Sequence, residues 1–190
     1  MAVNAQNQFK PFWRHIKGYF RSYGGWKSVL GSPLFVAAVL ITAVSYRQWL
    51  APEWTEAAYS LLPSLLGFSL GTYALLFSLI TARVKGAMRA IKNDEAISLL
   101  EQVNATFFHY IFVQVVGLVW AFLFSGNLFF DVATWLRPQA ELVWCAFSLM
   151  RTLGSFFGFL LMVYSVTLIV AAAMAIYRLA LIADPIEENR

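Results

Sequence analysis

The stretch of sequence that decides the fold is LGSFFGFLLMVYSVTLIVAAAMAIYRLALI, from Leu153 to Ile182. A helix needs about 20 mainly apolar residues to cross a hydrocarbon core roughly 30 Å thick, and this run is longer than that. Three other apolar runs meet or approach the same length, at residues 33–50, 57–82 and 107–130. The pattern predicts an all-α membrane protein with four transmembrane helices.

The composition of the 190-residue chain agrees with that prediction, since 60% of its residues are hydrophobic and only 13% are charged. An average soluble domain is about 25% charged. Residues 1–28 are polar, aromatic and basic, without the compact apolar core of a cleavable signal peptide, so the first apolar run is interpreted as a retained span. We therefore expect two parts, a cytoplasmic amphipathic helix over residues 1–28 and a four-helix transmembrane domain over residues 29–190.

The distribution of lysine and arginine predicts the orientation. Cytoplasmic loops carry an excess of these residues, and the excess here lies before the first span and between the second and third. The chain is therefore expected in the bacterial inner (cytoplasmic) membrane, with both termini in the cytoplasm. The inner cations are Lys10, Arg14, Lys17, Arg21, Lys27, Arg83, Lys85, Arg89 and Lys92, against Arg47, Arg137 and Arg151 on the other side.

The N-terminal segment has the pattern of a helix that lies in a membrane interface. At helical spacing its apolar and aromatic side chains share one face, while its cations share another. One interpretation is an anchor that fixes topology, and the other is a docking surface or a sensor of anionic lipid. The predicted membrane-interface residues are Phe9, Lys10, Phe12, Trp13, Arg14, Ile16, Lys17, Phe20 and Arg21.

The loop between the second and third spans predicts a cytoplasmic helical hairpin. Arg83 to Ile91 can extend the second span, Asn93 and Asp94 supply a turn, and helix is expected to resume at Glu95. The apolar faces of such a hairpin either pack on the protein itself or receive a soluble partner. The cations expected to dock a partner are Arg83, Lys85, Arg89 and Lys92.

Small residues at four-residue spacing predict close helix packing, which favours a homo-oligomer. The two pairs are Gly67 with Gly71 and Gly154 with Gly158. Polar residues in the spans allow either an interhelical hydrogen bond or a pore lining. The candidates for that role are Ser69, Thr72 and Gln114.

Catalytic, metal-binding and cofactor-binding patterns are absent from the sequence, so no enzyme activity, metal or cofactor is expected. The single cysteine, Cys145, excludes a disulfide framework within the chain. His109 near the inner end of the third span is interpreted as an interfacial residue in preference to a proton relay. Residues 142–150 either continue the fourth span outward or lie along the outer surface.

Three functions fit this plan: a homo-oligomeric membrane subunit that anchors or signals to a soluble cytoplasmic partner, a small homo-oligomeric ion channel, and an assembly factor without activity. In length, span count and orientation the chain resembles the four-span membrane subunit (KwaA) of the bacterial Kiwa anti-phage defence system. That resemblance implies a homo-oligomer that senses membrane perturbation during infection and works with a soluble nucleic-acid-binding partner (KwaB). Direct nucleic-acid binding by this chain is not expected.

Overall fold

The structure, a computed structural model, describes residues 5–126, 130–131, 134–135 and 141–180. The described part is helical, apart from one isolated antiparallel bridge between Lys92 and Ser98. The ends of two predicted spans, at 127–129 and 181–182, lie outside the described residues, as does Arg137. The helices are α1 (Ala5–Tyr23), α2 (Gly25–Leu30), α3 (Pro33–Val44), α4 (Tyr46–Leu50), α5 (Trp54–Leu79), α6 (Ala82–Ala90), α7 (Leu99–Ser125) and α8 (Glu141–Ala180).

Three of these helices, α5, α7 and α8, are long and apolar enough to cross a membrane, which identifies the chain as a membrane protein. Helix α3 is also apolar but has only 12 residues, or about 18 Å at the α-helical rise. It begins as the sequence predicts, with Ser32 as its N-cap and Pro33 in its first turn. The four predicted spans thus correspond to three long helices and a shorter one.

The order of the side-chain hydrogen bonds shows that neighbouring helices run antiparallel. Tyr59 on α5 bonds to the carbonyl of Ala121 on α7, whereas the later Tyr73 bonds to the earlier Asn104. His109 on α7 likewise pairs with Tyr164 on α8, and Ser155 on α8 donates to the carbonyl of Trp49 on α4. Ser69 Oγ on α5 donates to Gln114 Oε1 on α7 at 2.9 Å, and Trp120 Nε1 on α7 donates to the Gly154 carbonyl on α8 at 2.9 Å. Thr167 Oγ1 on α8 donates to the Leu34 carbonyl on α3 at 3.3 Å. Helices α7 and α8 therefore form the centre, with α5 against α7 and α3 against α8.

Two apolar clusters hold the bundle together. One lies towards the end that carries α1 and α6, and the other lies towards the end where α5 begins. Burying a large apolar side chain contributes about 1.5–3 kcal/mol, so these contacts dominate the packing. The first cluster includes Met88, Phe107, Tyr110, Tyr164 and Leu168, and the second includes Trp54, Ala58, Leu62, Ala121 and Phe159.

The predicted hairpin differs from the structure in where helix resumes. Helix α7 begins at Leu99, four residues later than Glu95, because Ser98 and Glu101 form a capping box. The Asn93 side chain meanwhile accepts hydrogen bonds from the backbone N–H groups of Glu95 and Ile97. Those bonds hold the preceding residues in a turn.

Residues 142–150 belong to α8, which is continuous over 40 residues. Of the two alternatives, the structure therefore has the one in which these residues continue the helix. Ser125, the last residue of α7, lies near the level of Arg151, since both line one pocket. The extension therefore projects about 15 Å beyond α7 at the α-helical rise.

The two glycine pairs lie in opposite environments. A Cβ at Gly158 would overlap the ring of Trp54 and stand 2.7 Å from Trp120, and one at Gly154 would be in ordinary contact with Phe124 and Trp120. By contrast, nothing lies within 4 Å of a Cβ at Gly67 or Gly71. Within one chain, only the pair on α8 packs against other helices.

Candidate functional site

Helix α1 docks on α7 through its aromatic face. The ring of Tyr19 meets Phe108 edge-on, with centroids 4.8 Å apart, and the ring of Tyr23 stacks on the imidazole of His109 at 4.2 Å. Aromatic contacts of this kind contribute about 0.5–1.5 kcal/mol beyond their burial. At least the C-terminal half of α1 therefore packs on protein through this face. The burial of α1 residues among lipid headgroups stays a prediction.

His109 is the centre of this contact, and only 5% of its surface is exposed. Its Nδ1 atom hydrogen-bonds with the hydroxyl of Tyr19 on α1, and its Nε2 atom lies 2.9 Å from the hydroxyl of Tyr164 on α8. A neutral imidazole offers one donor and one acceptor, so two hydroxyls that can each play either role satisfy it fully. We call Tyr19, Tyr23, His109 and Tyr164 the histidine cluster. It joins α1, α7 and α8.

Burial shifts the titration of the two tyrosines that α1 contributes. It raises the pKa of Tyr19, and the neighbouring Tyr23 raises it further. Burial also raises the pKa of Tyr23, against a smaller opposing effect of the neighbouring Tyr164. The docked helix therefore keeps both phenols neutral.

The opposite face of α1 is basic and exposed. Lys10, Trp13, Arg14 and Lys17 line one open groove there. The predicted interface residues thus form two groups. The residues that line the groove are exposed, as is Arg21, whereas Ile16 and Phe20 are half-buried on the side of α1 that faces the protein. Phe9 and Phe12 lie on α1, but their side chains are outside the described residues.

The predicted docking cations of the second loop also divide into two groups. Arg83, Arg89 and Lys92 are exposed, whereas Lys85 Nζ donates to the carbonyl of Phe77 at 3.2 Å, near the end of α5. That bond satisfies a carbonyl that has no partner within its helix. Lys85 therefore stabilises the junction of α5 and α6.

The apolar face of α6 packs against α7, because Met88 has no exposed surface and Val84 is half-buried against the same cluster. The apolar face of this segment was expected either to pack on the protein itself or to receive a soluble partner. In the structure it packs on the protein itself. The opposite face of α6, which carries Arg83 and Arg89, is exposed. Arg21 and Lys92 both act electrostatically on Glu101 near the start of α7, so α1 and the loop after α6 lie at the same end of the bundle.

The predicted polar residues of the bundle interior form an interhelical contact. Ser69 and Gln114 have no exposed surface and hydrogen-bond to each other between α5 and α7, while Thr72 is half-buried. An interhelical bond of this kind contributes about 1 kcal/mol. Within one chain, protein surrounds both Ser69 and Gln114.

Sequence reasoning missed the role of Tyr19 and Tyr164. Tyr19 lies 90 residues before His109, and Tyr164 lies 55 residues after it. The one local signal was the spacing of Tyr19 and Tyr23, which places both rings on the same face of a helix. Sequence reasoning also missed Gly117, where α7 approaches Leu62 and Leu161 closely.

Among the described residues, no group of three histidine, cysteine, aspartate or glutamate side chains is placed to hold a metal ion. Comparisons of the chain with protein-family models, with curated proteins and with solved structures find no match.

Proposed function

We propose that this chain is a non-enzymatic, homo-oligomeric subunit of the bacterial inner membrane, which crosses the membrane four times and binds a soluble cytoplasmic partner at its basic end. By the basic end we mean the exposed cations of α1, of α6 and of the loop after α6. The observation that carries this proposal is the docking of α1 through the histidine cluster, because docking holds the cations of α1 at the same end of the bundle as those of α6 and its following loop.

The first crossing is assigned to α3 and α4 together. The backbone N–H of Ser45 bonds to the carbonyl of Ile41, and that of Gln48 bonds to the carbonyl of Ser45, so the chain stays coiled across the junction. The run from Pro33 to Leu50 extends about 27 Å at the α-helical rise, close to the thickness of the hydrocarbon core.

Charge supports a cytoplasmic position for the basic end. The antiparallel helix order places α1, α6 and the C-terminal end of α8 at one end of the bundle, and that end carries most of the cations. The opposite end has Arg47 and Arg151 but also Glu53 and Glu56. An excess of cations of this kind is typical of the cytoplasmic side. The expected partner surface is acidic, since like charges across an interface are strongly unfavourable.

A pulldown of the tagged protein from its native host in mild detergent tests this proposal. The wild type is expected to retain a stoichiometric soluble partner, and a double variant, Arg89→Glu with Lys92→Glu, is expected to weaken retention at least about tenfold, or 1.4 kcal/mol. Arg47→Glu at the opposite end is the matched control and should retain the partner. A partner held equally by the double variant, or no partner at all, would count against the proposal.

The homo-oligomer is supported by the exposed face of α5. Besides the two open glycines, Gly67 and Gly71, this face carries Ser60, Ser64 and Ser78, all at helical spacing and all exposed. Small residues let helix backbones approach closely in lipid. The hydroxyls of Ser64 and Ser78 donate to carbonyls of their own helix, which lets them lie in a dry contact.

Gly71→Leu is expected to dissociate the oligomer without unfolding the chain, because a Cβ at Gly71 meets nothing within 4 Å in its own chain. Native mass measurement in lipid nanodiscs reports the number of chains. Ala173→Leu enlarges an exposed position on α8 and serves as the control. An unchanged mass for Gly71→Leu would mean that the copies meet through another face.

The alternative function is a small homo-oligomeric channel. It would be favoured if the serines of the exposed α5 face lined a wet path at the centre of a ring of copies. Ser69 and Gln114, the other candidate lining groups, support it less, since protein encloses both. Conductance of the purified oligomer in a planar bilayer, abolished by Gly71→Leu, would favour the channel over the docking subunit.

Within the docking proposal, the soluble partner would be the nucleic-acid-binding component of a defence system, as the resemblance in overall plan implies. The chain itself would then contribute the membrane anchor and the contact that reports a disturbed membrane. Mass spectrometry of the captured partner identifies its class directly.

A further inference from the structure

An apolar pocket lies at the end of the bundle opposite the basic end, between the C-terminal part of α7 and α8. Its volume is about 280 Å³, and four aromatic side chains line it. Trp120 and Phe124 line it from α7, Phe130 lines it beyond α7, and Phe147 lines it from α8. Among the described lining residues, Arg151 carries the only charge. We call this the Arg151 pocket.

The Arg151 guanidinium stands over two of the rings, 5.1 Å from the centroid of Phe124 and 5.5 Å from that of Phe130. Within the described part of the chain it makes no ion pair. Ring faces attract the positive charge but leave the in-plane N–H donors of the guanidinium unused. Those donors match the paired oxygens of a phosphate or carboxylate.

The pocket lies at the depth where phospholipid headgroups are expected. Helix α5 begins at Trp54, and α7 ends at Ser125. Trp49, Trp54 and Trp120 cluster at this level, which is typical of the boundary between hydrocarbon and water. A ligand there can place an apolar chain among the rings and a polar group at Arg151.

A second, more polar pocket adjoins the first and shares Phe124 and Arg151 with it. Glu53, Thr55, Glu56 and Ser125 line this second pocket. A ligand phosphate at Arg151 would therefore have the carboxylates of Glu53 and Glu56 on one side and the aromatic walls on the other. Those carboxylates suit a headgroup that carries a positive charge beyond its phosphate.

We propose that the Arg151 pocket binds a phospholipid, with an acyl chain along Trp120 and Phe124, the phosphate on Arg151 and a headgroup amine directed to Glu53 and Glu56. The ligand class with these three groups is phosphatidylethanolamine. Phosphatidylglycerol offers the chain and the phosphate, but it has no amine. A second copy of the chain fits less well, because this combination of a cation, two carboxylates and an apolar pocket matches a zwitterionic amphiphile.

Native mass spectrometry of the full-length protein, titrated with dioleoyl phosphatidylethanolamine or dioleoyl phosphatidylglycerol, tests the site. The wild type is expected to bind the ethanolamine lipid more tightly. Arg151→Met keeps an unbranched apolar side chain and is expected to weaken that binding at least about tenfold, since hydrogen bonds to charged groups are among the strong ones. Arg151→Lys restores the charge and should recover part of the affinity.

Two further variants complete the experiment. Glu53→Gln with Glu56→Gln is expected to remove the preference for the ethanolamine lipid while leaving glycerol-lipid binding in place. Arg47→Met removes an exposed cation at the same end of the bundle, where Arg47 lies over the ring of Tyr46. This variant should bind both lipids as tightly as the wild type does.

The site would be wrong if Arg151→Met bound phosphatidylethanolamine as tightly as the wild type does. It would also be wrong if Arg47→Met lost as much lipid affinity as Arg151→Met. Equal affinity for the two lipids would overturn the assignment of the headgroup. A change in the number of chains in Arg151→Met, without bound lipid in the wild type, would make the pocket an interface between copies and the proposal wrong.

Discussion

Gly158→Leu is expected to destabilise the helix bundle more than any other single change at a glycine of this chain. A Cβ at this position would overlap the indole ring of Trp54 and stand 2.7 Å from that of Trp120. Trp54 is itself 3% exposed, so the ring has little space into which it can move. Overpacking of this kind costs about 1–3 kcal/mol, and the opened contact would also separate α5 from α8.

Unfolding of the purified protein in mixed micelles, followed by circular dichroism against increasing denaturing detergent, measures this effect. Gly86→Leu in α6 is the matched control, because a Cβ there meets nothing within 4 Å. Replacing a glycine inside a helix is otherwise favourable by up to about 1 kcal/mol. Equal stability of Gly158→Leu and Gly86→Leu would mean that the close contact with Trp54 is not part of the fold.

Tyr19→Phe is expected to release α1 from the bundle. The change keeps the ring that packs on Phe108 but removes the hydroxyl that bonds to His109, which leaves a buried imidazole nitrogen without a partner. The cost of such an unpaired buried group is about 1–3 kcal/mol. Because α1 is held mainly by this cluster, a loss of that size shifts the helix towards a population of undocked positions.

Pulsed electron spin resonance measures the release as a distance between spin labels at Arg14 on α1 and Ala90 on α6, on a Cys145→Ala background. The docked helix predicts one narrow distribution, and Tyr19→Phe a broad one. Tyr177→Phe removes the hydroxyl of an exposed tyrosine and should keep the narrow distribution. A narrow distribution in Tyr19→Phe would show that lipid, and not the histidine cluster, holds α1.

The same labels report the effect of pH. Docking raises the pKa of Tyr19 and Tyr23 above the ordinary value of about 10. The released helix can ionise both phenols above that value, whereas the docked helix cannot. The free energy of docking is therefore most favourable below about pH 10, and docking weakens as the pH rises further.

The helices themselves were largely predictable, because apolar runs of this length have few alternatives to membrane-crossing helices. The start of α3 was predictable from Ser32 and Pro33, and the helix has these residues as N-cap and first turn. The start of α7 could have been predicted from the sequence, but we expected it at Glu95. Ser98 followed by Glu101 is the signature of a capping box, and it outweighed the turn residues Asn93 and Asp94 as a guide to where helix resumes.

Which face of each helix packs could not be predicted, and the glycines show why. Both pairs, Gly67 with Gly71 and Gly154 with Gly158, have the same spacing. Yet only the pair on α8 meets neighbouring rings. In a helix that is apolar all round, periodicity does not distinguish the face towards protein from the face towards lipid. That choice depends on the shapes of several helices together.

The histidine cluster could not be predicted for a related reason. His109 looked like an interfacial residue because it stands near the end of an apolar run. Its burial depends on Tyr19 and Tyr164, which tertiary packing brings to it from far along the chain. Local patterns indicate helices, whereas a buried polar group finds its partners only after the helices have assembled.

Labelling of single cysteines in spheroplasts with a membrane-impermeant maleimide tests the central claim, that the chain spans the inner membrane with its basic end in the cytoplasm. The native Cys145 is exposed on the extension of α8, which the proposed orientation places outside the inner membrane, so we predict that intact spheroplasts label it. Lys92→Cys on a Cys145→Ala background is predicted to react only after the membrane is permeabilised. Labelling of Lys92→Cys, and not of Cys145, in intact spheroplasts would reverse the orientation and contradict the proposed docking of a cytoplasmic partner at the basic end.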